Sequence, residues 1–320
     1  MSAMRATLGT VLVASLLAWA LPAARAQPKP ATATIRVVTP PLTNYTPLIV
    51  ARDKGFFAEE NLSVSWAAVQ GATLAVEAVY GGSAEVGGTG ILESMVARGN
   101  GLDVMFFAAG ARINSAPPDN SALVVRTRDT IQRPADLAGK KVSVGLVGGS
   151  INYIHMQEWL QKKGVDPKTI QFLEIPFSQM ADALLQNRLD AVWAVEPFLT
   201  IMMHSGNARI LAHPYLDNLP GMDITHYIAK ESWLKANADV ARRFKRAVDR
   251  ATAFLINASK EERDGWVAKF SGIKPELVAR MALPVYTSEF NVASLRANLD
   301  MAVRHKVVKP FDVNAMLWKP

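Results

Sequence analysis

A strand followed by a helix, repeated along the chain, leaves few folds open, and this sequence runs through that alternation twice. Ile35 to Thr39 (IRVVT) reads as a buried strand, Pro47 to Asp53 as a short helix stopped at Gly55, and Ser63 to Val69 as an alternating strand. Thr73 to Tyr80 predicts a helix, Ala84 to Gly87 a short strand, and Ile91 to Ala97 a helix ended by Gly99. Val104 to Ala109 and Ala122 to Arg126 are two further strands. Past Arg126 the rhythm restarts. Lys141 to Val144, Ile170 to Ile175, Ala191 to Val195 and Ala208 to Ala212 read as strands, separated by helices over Ile151 to Lys163, over Ser178 to Gln186 and from Pro197. Each run predicts a mostly parallel sheet covered on both faces, so the expected fold class is α/β.

Asp223 to Ala229 is the last predicted strand, and the chain beyond it reads helical. In Asp239 to Ser259, apolar Val240, Phe244, Val248, Ala251 and Leu255 recur every three or four residues while Arg242, Arg243, Arg246 and Arg250 take the other face. That basic cluster is read as a solvated helix face, not a nucleic-acid patch. Lys274 to Met281 and Val292 to His305 add two helices. A helical tail of this length needs a sheet to pack on, and a return to the first unit supplies one. The expectation is therefore two lobes joined by two crossings, near Arg126 and near Met222, with lobe 1 made of residues 35–126 and 223–320 and lobe 2 of residues 127–222.

The N-terminus has the pattern of an export signal. Arg5 precedes an apolar run from Leu8 to Leu21, and Ala24-Arg25-Ala26 offers a small-x-small cleavage site, so residues 1–26 are read as a leader and 27–34 as an extended spacer. A spanning helix needs about 20 apolar residues, more than this run provides. The chain contains no cysteine, which excludes disulfide frameworks, thiolate metal sites and a lipid-modified cysteine anchor. Export without a lipid anchor predicts a free periplasmic protein. The formal charge is +7, and two of the cations, Arg5 and Arg25, lie in the leader. What remains is a mild excess, so no nucleic-acid partner is expected.

Catalytic templates fail in turn. HExxH, GxSxG and the phosphate-loop GK[ST] are absent, and no GxGxxG opens a dinucleotide unit. The five histidines are scattered without metal-ligand spacing, so no metal, cofactor or catalytic residue is assigned. What recurs is a polar or glycine-rich junction between strand and helix: Thr43-Asn44-Tyr45, Gln70-Gly71-Ala72-Thr73, Gly87-Gly88-Thr89-Gly90 and Gly148-Gly149-Ser150. Helix N-termini present unpaired N–H groups, and glycine lets a ligand approach the backbone. Several such ends around one cleft make a pocket for a small polar molecule, although each alone also fits an ordinary capped turn.

At these residues the chain resembles the periplasmic substrate-binding proteins of ABC importers in the nitrate, sulfonate, taurine and thiamine-precursor group. The resemblance is carried in order by Pro47 to Phe57 (PLIVARDKGFF), Glu60-Asn61-Leu62, Tyr80 to Gly90 (YGGSAEVGGTG), Asp136 to Val142 (DLAGKKV), Gly149-Ser150, Asn187 to Pro197 (NRLDAVWAVEP) and Asn237 to Phe244 (NADVARRF). It implies the two-lobed periplasmic-binding-protein fold of type 2, with two hinge crossings. The implied function is capture of a small organic ligand between the lobes, whether a sulfonate, a small or aromatic carboxylate or a pyrimidine-like heterocycle. The implied partner is an inner-membrane ABC permease, met by a monomer.

An enzyme of thiamine-pyrimidine synthesis on the same fold would carry a cysteine-rich iron-binding motif, which a cysteine-free chain lacks. A solute sensor without transport stays open. The expected ligand-binding residues are Asn44, Tyr45, Gln70, Gly71, Thr89, Gly90, Gly149 and Ser150, with Arg112 as a partner for an anionic group and Glu196 as the residue setting ligand class. Arg112 also reads as a surface loop cation, Glu196 as a helix-capping carboxylate, and Tyr45 as a core aromatic.

Overall fold

The computed structural model describes residues 31–319; the leader expected over 1–26 lies outside them. In chain order, β1 (Ala33–Thr39) leads through a single 3-10 turn (Thr43–Tyr45) into α1 (Thr46–Asp53), and a one-turn α2 (Phe56–Glu59) precedes β2 (Leu62–Ala68). α3 (Ala72–Gly81), β3 (Val86–Gly90), α4 (Ile91–Gly99) and β4 (Met105–Arg112) complete the first run. Gly55 is at φ 79°, the left-handed conformation that lets α1 stop and Phe56 and Phe57 turn back. Phe57 then stacks on Phe244, ring centres 5.3 Å apart.

The second run comprises β5 (Ser121–Arg126), β6 (Lys141–Ser143), α5 (Ile151–Lys162), β7 (Gln171–Phe172), α6 (Phe177–Leu185), β8 (Ala191–Val195), α7 (Phe198–His204), β9 (Ala208–Ala212) and α8 (Pro214–Asn218). β10 (Asp223–Ala229), α9 (Glu231–Ala236), α10 (Ala238–Asn257), α11 (Lys260–Ser271), α12 (Pro275–Val278), β11 (Val285–Tyr286) and α13 (Val292–Arg304) follow. α10 buries Phe244, Val248, Ala251 and Leu255, as its spacing predicts. Two of its cations are paired with the end of α2, Arg246 with Glu60 and Arg250 with Glu59. Arg243 is the exception to the solvated face, buried with its guanidinium donating to the carbonyls of Glu60 and Asn61.

Among the described residues, eleven strands form two sheets of one plan. The first has the order β11-β4-β10-β3-β1-β2 and the second β7-β6-β8-β5-β9. In each, one antiparallel strand lies next to the third parallel one: β10 between β3 and β4, and β5 between β8 and β9. Both are the strands that follow a crossing between lobes. The boundary expected near Arg126 is thereby corrected. Residues 121–126 pair wholly within the second sheet, so the first crossing is 113–120, and the return crossing is 219–222. An all-apolar run such as ALVV declares burial but not the sheet it joins.

Three smaller expectations are also revised. Gly87 to Gly90 is strand β3, not a turn. A β-carbon on Gly88 would collide with the Tyr45 ring and lie 2.6 Å from Thr39 Cγ2, so glycine there serves close packing at the sheet centre. The helix expected over Lys274 to Met281 is a single turn, and the tail contributes the two-residue strand β11 to the first sheet. Asp136, the first residue of the DLAGKKV segment, caps the turn before β6, its carboxylate accepting from the N–H groups of Gln132 and Arg133 at 2.9 and 3.1 Å.

Candidate functional site

The C-terminal ends of the strands in both sheets open on one cavity of about 280 Å³ between the lobes. The first lobe lines it with Pro40 and Leu42 after β1, Asn44 and Tyr45 in the turn before α1, Gln70 to Ala72 after β2, and Gly90 and Glu93 at the start of α4. Ile224 and Thr225 of β10 join them. The second lobe contributes Val144 to Leu146, Ser150 to Asn152 at the start of α5, Glu174 to Phe177, Val195 and Tyr215. Placement at strand ends and helix starts follows from the fold, because parallel strands all deliver their loops to the same edge.

The lobes meet around this cavity. Glu93 Oε1 of lobe 1 accepts from the Ile151 N–H of lobe 2 at 3.2 Å. Asn120 Nδ2 donates to Asn44 Oδ1 at 3.4 Å, and the Thr43 N–H points to the Glu196 carbonyl at 3.4 Å. A β-carbon on Gly71, at φ 147°, would sit 3.1 Å from Leu146 Cδ1, so that glycine accommodates the facing lobe. Beside the cavity, α5 packs on α13: His155 Nε2 pairs with Asn298 Oδ1 at 2.8 Å, and Arg304 and His305 both reach Glu158. Burial pushes the His155 imidazole down to about 4, so it is neutral in this interface.

Of the residues expected to bind, Asn44, Tyr45, Gln70, Gly71, Gly90 and Ser150 line the cavity together. Ser150 spends its hydroxyl locally, accepting from the Tyr153 N–H at 3.3 Å and donating to the Leu146 carbonyl at 2.5 Å. Thr89 lies behind the wall, its hydroxyl 2.5 Å from Ser94 Oγ. Gly149 packs against Val96, where a β-carbon would be 3.1 Å from Cγ1.

Arg112 and Glu196 do not line the cavity. Arg112 Nε donates to buried Asp223 at 2.7 Å, and its Nη2 to the Glu289 carbonyl at 3.0 Å, which makes it a bracket between β4, β10 and the tail. The Glu196 carboxylate turns back onto its own helix, accepting from the Thr200 N–H at 3.0 Å and the Thr200 hydroxyl at 2.7 Å. It faces a separate cavity behind the crossings, shared with Asp119 and His213.

The residue that sequence reasoning missed is Glu93. It sits in the first turn of α4, a position where an acid is ordinary on helix-dipole grounds and so draws no notice. Gly90 leaves room for it, since a β-carbon there would collide with its carboxylate. Its Oε2 is buried without a protein partner, and burial pushes the carboxyl up to about 7. Asn44 and Asn152 complete the set. Their oxygens accept from Asn120 Nδ2 and the Tyr215 hydroxyl, while their Nδ2 groups are buried and unpartnered. No lysine, arginine or histidine lines the cavity among the described residues.

Two α/β lobes of this strand order, with two crossings and a cavity between them, define the periplasmic-binding-protein fold. The alkanesulfonate-binding protein SsuA from Xanthomonas axonopodis pv. citri superposes with a TM-score of 0.76 at 18% identity, over 91% of this chain and all of that one. The chain belongs to the NMT1/THI5-like family, whose model matches residues 42–262. Among its relatives, YtlA of Bacillus subtilis, named as a binding protein without a stated ligand, is 27% identical over 239 residues, covering 73% of this chain and 70% of its own. A formylaminopyrimidine-binding protein of Halalkalibacterium halodurans is 23% identical over 219 residues, 68% of this chain and 64% of its own.

Proposed function

We propose that this chain is the solute-binding component of an ABC importer. It is exported by its leader, works as a free monomer in the periplasm, and traps a small organic solute between its lobes for delivery to an inner-membrane permease, without catalysing a reaction. The observation that carries this reading is the interlobe cavity, mostly apolar in lining, whose wall from each lobe includes a buried polar group lacking a protein partner. Such groups cost about 1–3 kcal/mol each when left unpaired, and a captured solute is the natural partner for them. The family relationship and the names of the relatives support the same reading.

A thermal-shift panel of sulfonates, small and aromatic carboxylates and nitrogen heterocycles tests it. A solute at 100 times its dissociation constant adds about 2.7 kcal/mol of stability. Silence across the panel, from protein shown to be folded and ligand-free, overturns the reading.

Capture is proposed to proceed by rotation of the lobes about the crossings 113–120 and 219–222, whose backbones can absorb the change while each sheet stays rigid. Solution scattering of ligand-free protein is expected to show a larger radius of gyration than the same protein saturated with its solute. Identical profiles rule out the motion.

A further inference from the structure

The wall of this cavity bears on which solutes it accepts. The N-terminus of a helix stabilises negative charge, and α5 aims such an end at the cavity from lobe 2. That place is already taken. The Glu93 carboxylate reaches across from lobe 1 to accept from the Ile151 N–H, while Ser150 takes the Tyr153 N–H. With no cation in the lining among the described residues, an entering sulfonate or carboxylate would meet, above pH 7 where Glu93 is ionised, a fixed carboxylate in a low-dielectric space.

The unpartnered groups of the lining ask for a molecule with both kinds of polar atom: Oε2 of Glu93 needs a donor, Nδ2 of Asn44 and of Asn152 each need an acceptor, and the hydroxyls of Tyr45 and Thr225 can serve as either. Tyr45, Tyr215 and Phe177 supply flat apolar walls. The raised pKa of Glu93, about 7, accords with a carboxylate short of partners.

We infer that Glu93 is the specificity-determining residue of this site, selecting uncharged aromatic or heteroaromatic solutes that carry an N–H donor and rejecting anions by supplying the protein's own carboxylate where an anion would sit. The inference rests on the binding-protein reading above and narrows it. Glu93 contacts the solute directly through Oε2 and holds its own position through Oε1, so Glu93→Gln keeps the cap on Ile151 while removing the charge.

Calorimetry on the full chain at pH 8.5, where Glu93 is ionised, tests this with probes matched in shape: benzamide against benzoate and benzenesulfonate, and 4-aminopyrimidine against pyrimidine, which lacks the donor. Benzamide and 4-aminopyrimidine are expected to bind the native protein at least tenfold more tightly than their counterparts. In Glu93→Gln, with folding confirmed by its melting curve, affinity for the two donors falls about ten- to hundredfold, the range for a lost hydrogen bond to a charged group, and the gap to benzoate closes. The probe comparison on native protein needs no variant, so it stands even if the substitution unfolds the chain. Tighter binding of either anion by the native protein, or donor binding indifferent to Glu93→Gln, overturns the inference. Silence of both donors while an anion of the wider panel binds overturns it too, leaving the importer reading intact; silence of every compound overturns that reading itself.

Discussion

Asp223→Ala is expected to cost about 3–5 kcal/mol of folding free energy, the range for removing one partner of a buried charged pair. Asp223 is fully buried at the first residue of β10, where the return crossing enters the first sheet. Its carboxylate accepts from Arg112 Nε at 2.7 Å, His226 Nε2 at 3.0 Å and the Asn291 N–H at 2.7 Å. Since His226 Nδ1 accepts from the Gly110 N–H at 3.3 Å, the ring carries its proton on Nε2, toward Asp223. Burial alone would raise this carboxyl, but His226, Arg112 and the Asn291 N–H outweigh it and hold the group below the usual carboxylate range. Alanine leaves a guanidinium, an imidazole and a backbone N–H short of an acceptor at once. Urea denaturation measures the loss directly; a change under about 1 kcal/mol would show that the bracket around Arg112 is not structural.

Glu196→Gln is expected to stabilise the protein at pH 8 by on the order of 3 kcal/mol and to leave solute affinity unchanged. Burial pushes the Glu196 carboxyl up to about 7 in the folded chain, against an unfolded value near 4.5. A raised folded value means that stability is greatest below the unfolded value and declines as pH rises toward 7, because the unfolded chain ionises first. The loss proceeds at about 1.4 kcal/mol per pH unit inside that window. Glutamine can accept from the Thr200 N–H with its one oxygen and donate its amide to the Thr200 hydroxyl, and it has no charge to bury, so the variant's advantage grows from nil at pH 4 to its full size by pH 8. His155 works the other way over an overlapping range: its depressed value contributes stability above about 6.5 that is lost on acidification toward 4. The comparison of variant with native protein at each pH therefore isolates Glu196 where the native curve alone does not. Equal stabilities at pH 4 and pH 8 would place this carboxylate in contact with water.

These two residues also mark where sequence ceases to inform. The amphipathic spacing of α10, the left-handed stop at Gly55 and the alternation of strand and helix are local properties, and the structure has them close to where the sequence puts them. Partnerships across the chain are different. The pairing of Arg112 with Asp223 joins residues brought together by a whole intervening lobe, and nothing near Arg112 announces it. Glu196 stands out in sequence beside Pro197, yet its direction is fixed by Thr200 one turn on, a choice between two equally plausible orientations. Glu93 was hidden for the converse reason: a first-turn acid satisfies the helix on its own, and only the approach of Ile151 from the other lobe gives it a second task. Asn44, Tyr45 and Gln70 were legible because strand-to-helix junctions converge in any fold of this plan, whatever the partners prove to be.

The two crossings run side by side: the Ile113 N–H donates to the Met222 carbonyl at 3.0 Å, and the Gly221 N–H to the Asn114 carbonyl at 3.1 Å. The whole second sheet with its helices is consequently one uninterrupted stretch of chain whose two ends are neighbours, an arrangement tolerant of insertion and exchange. A homologous stretch spliced in at these adjacent points would bring its own counterparts of Asn152, Phe177 and Tyr215 while keeping Glu93 from the host. Chimaeras of this design would divide the recognition of a solute into two inheritable halves.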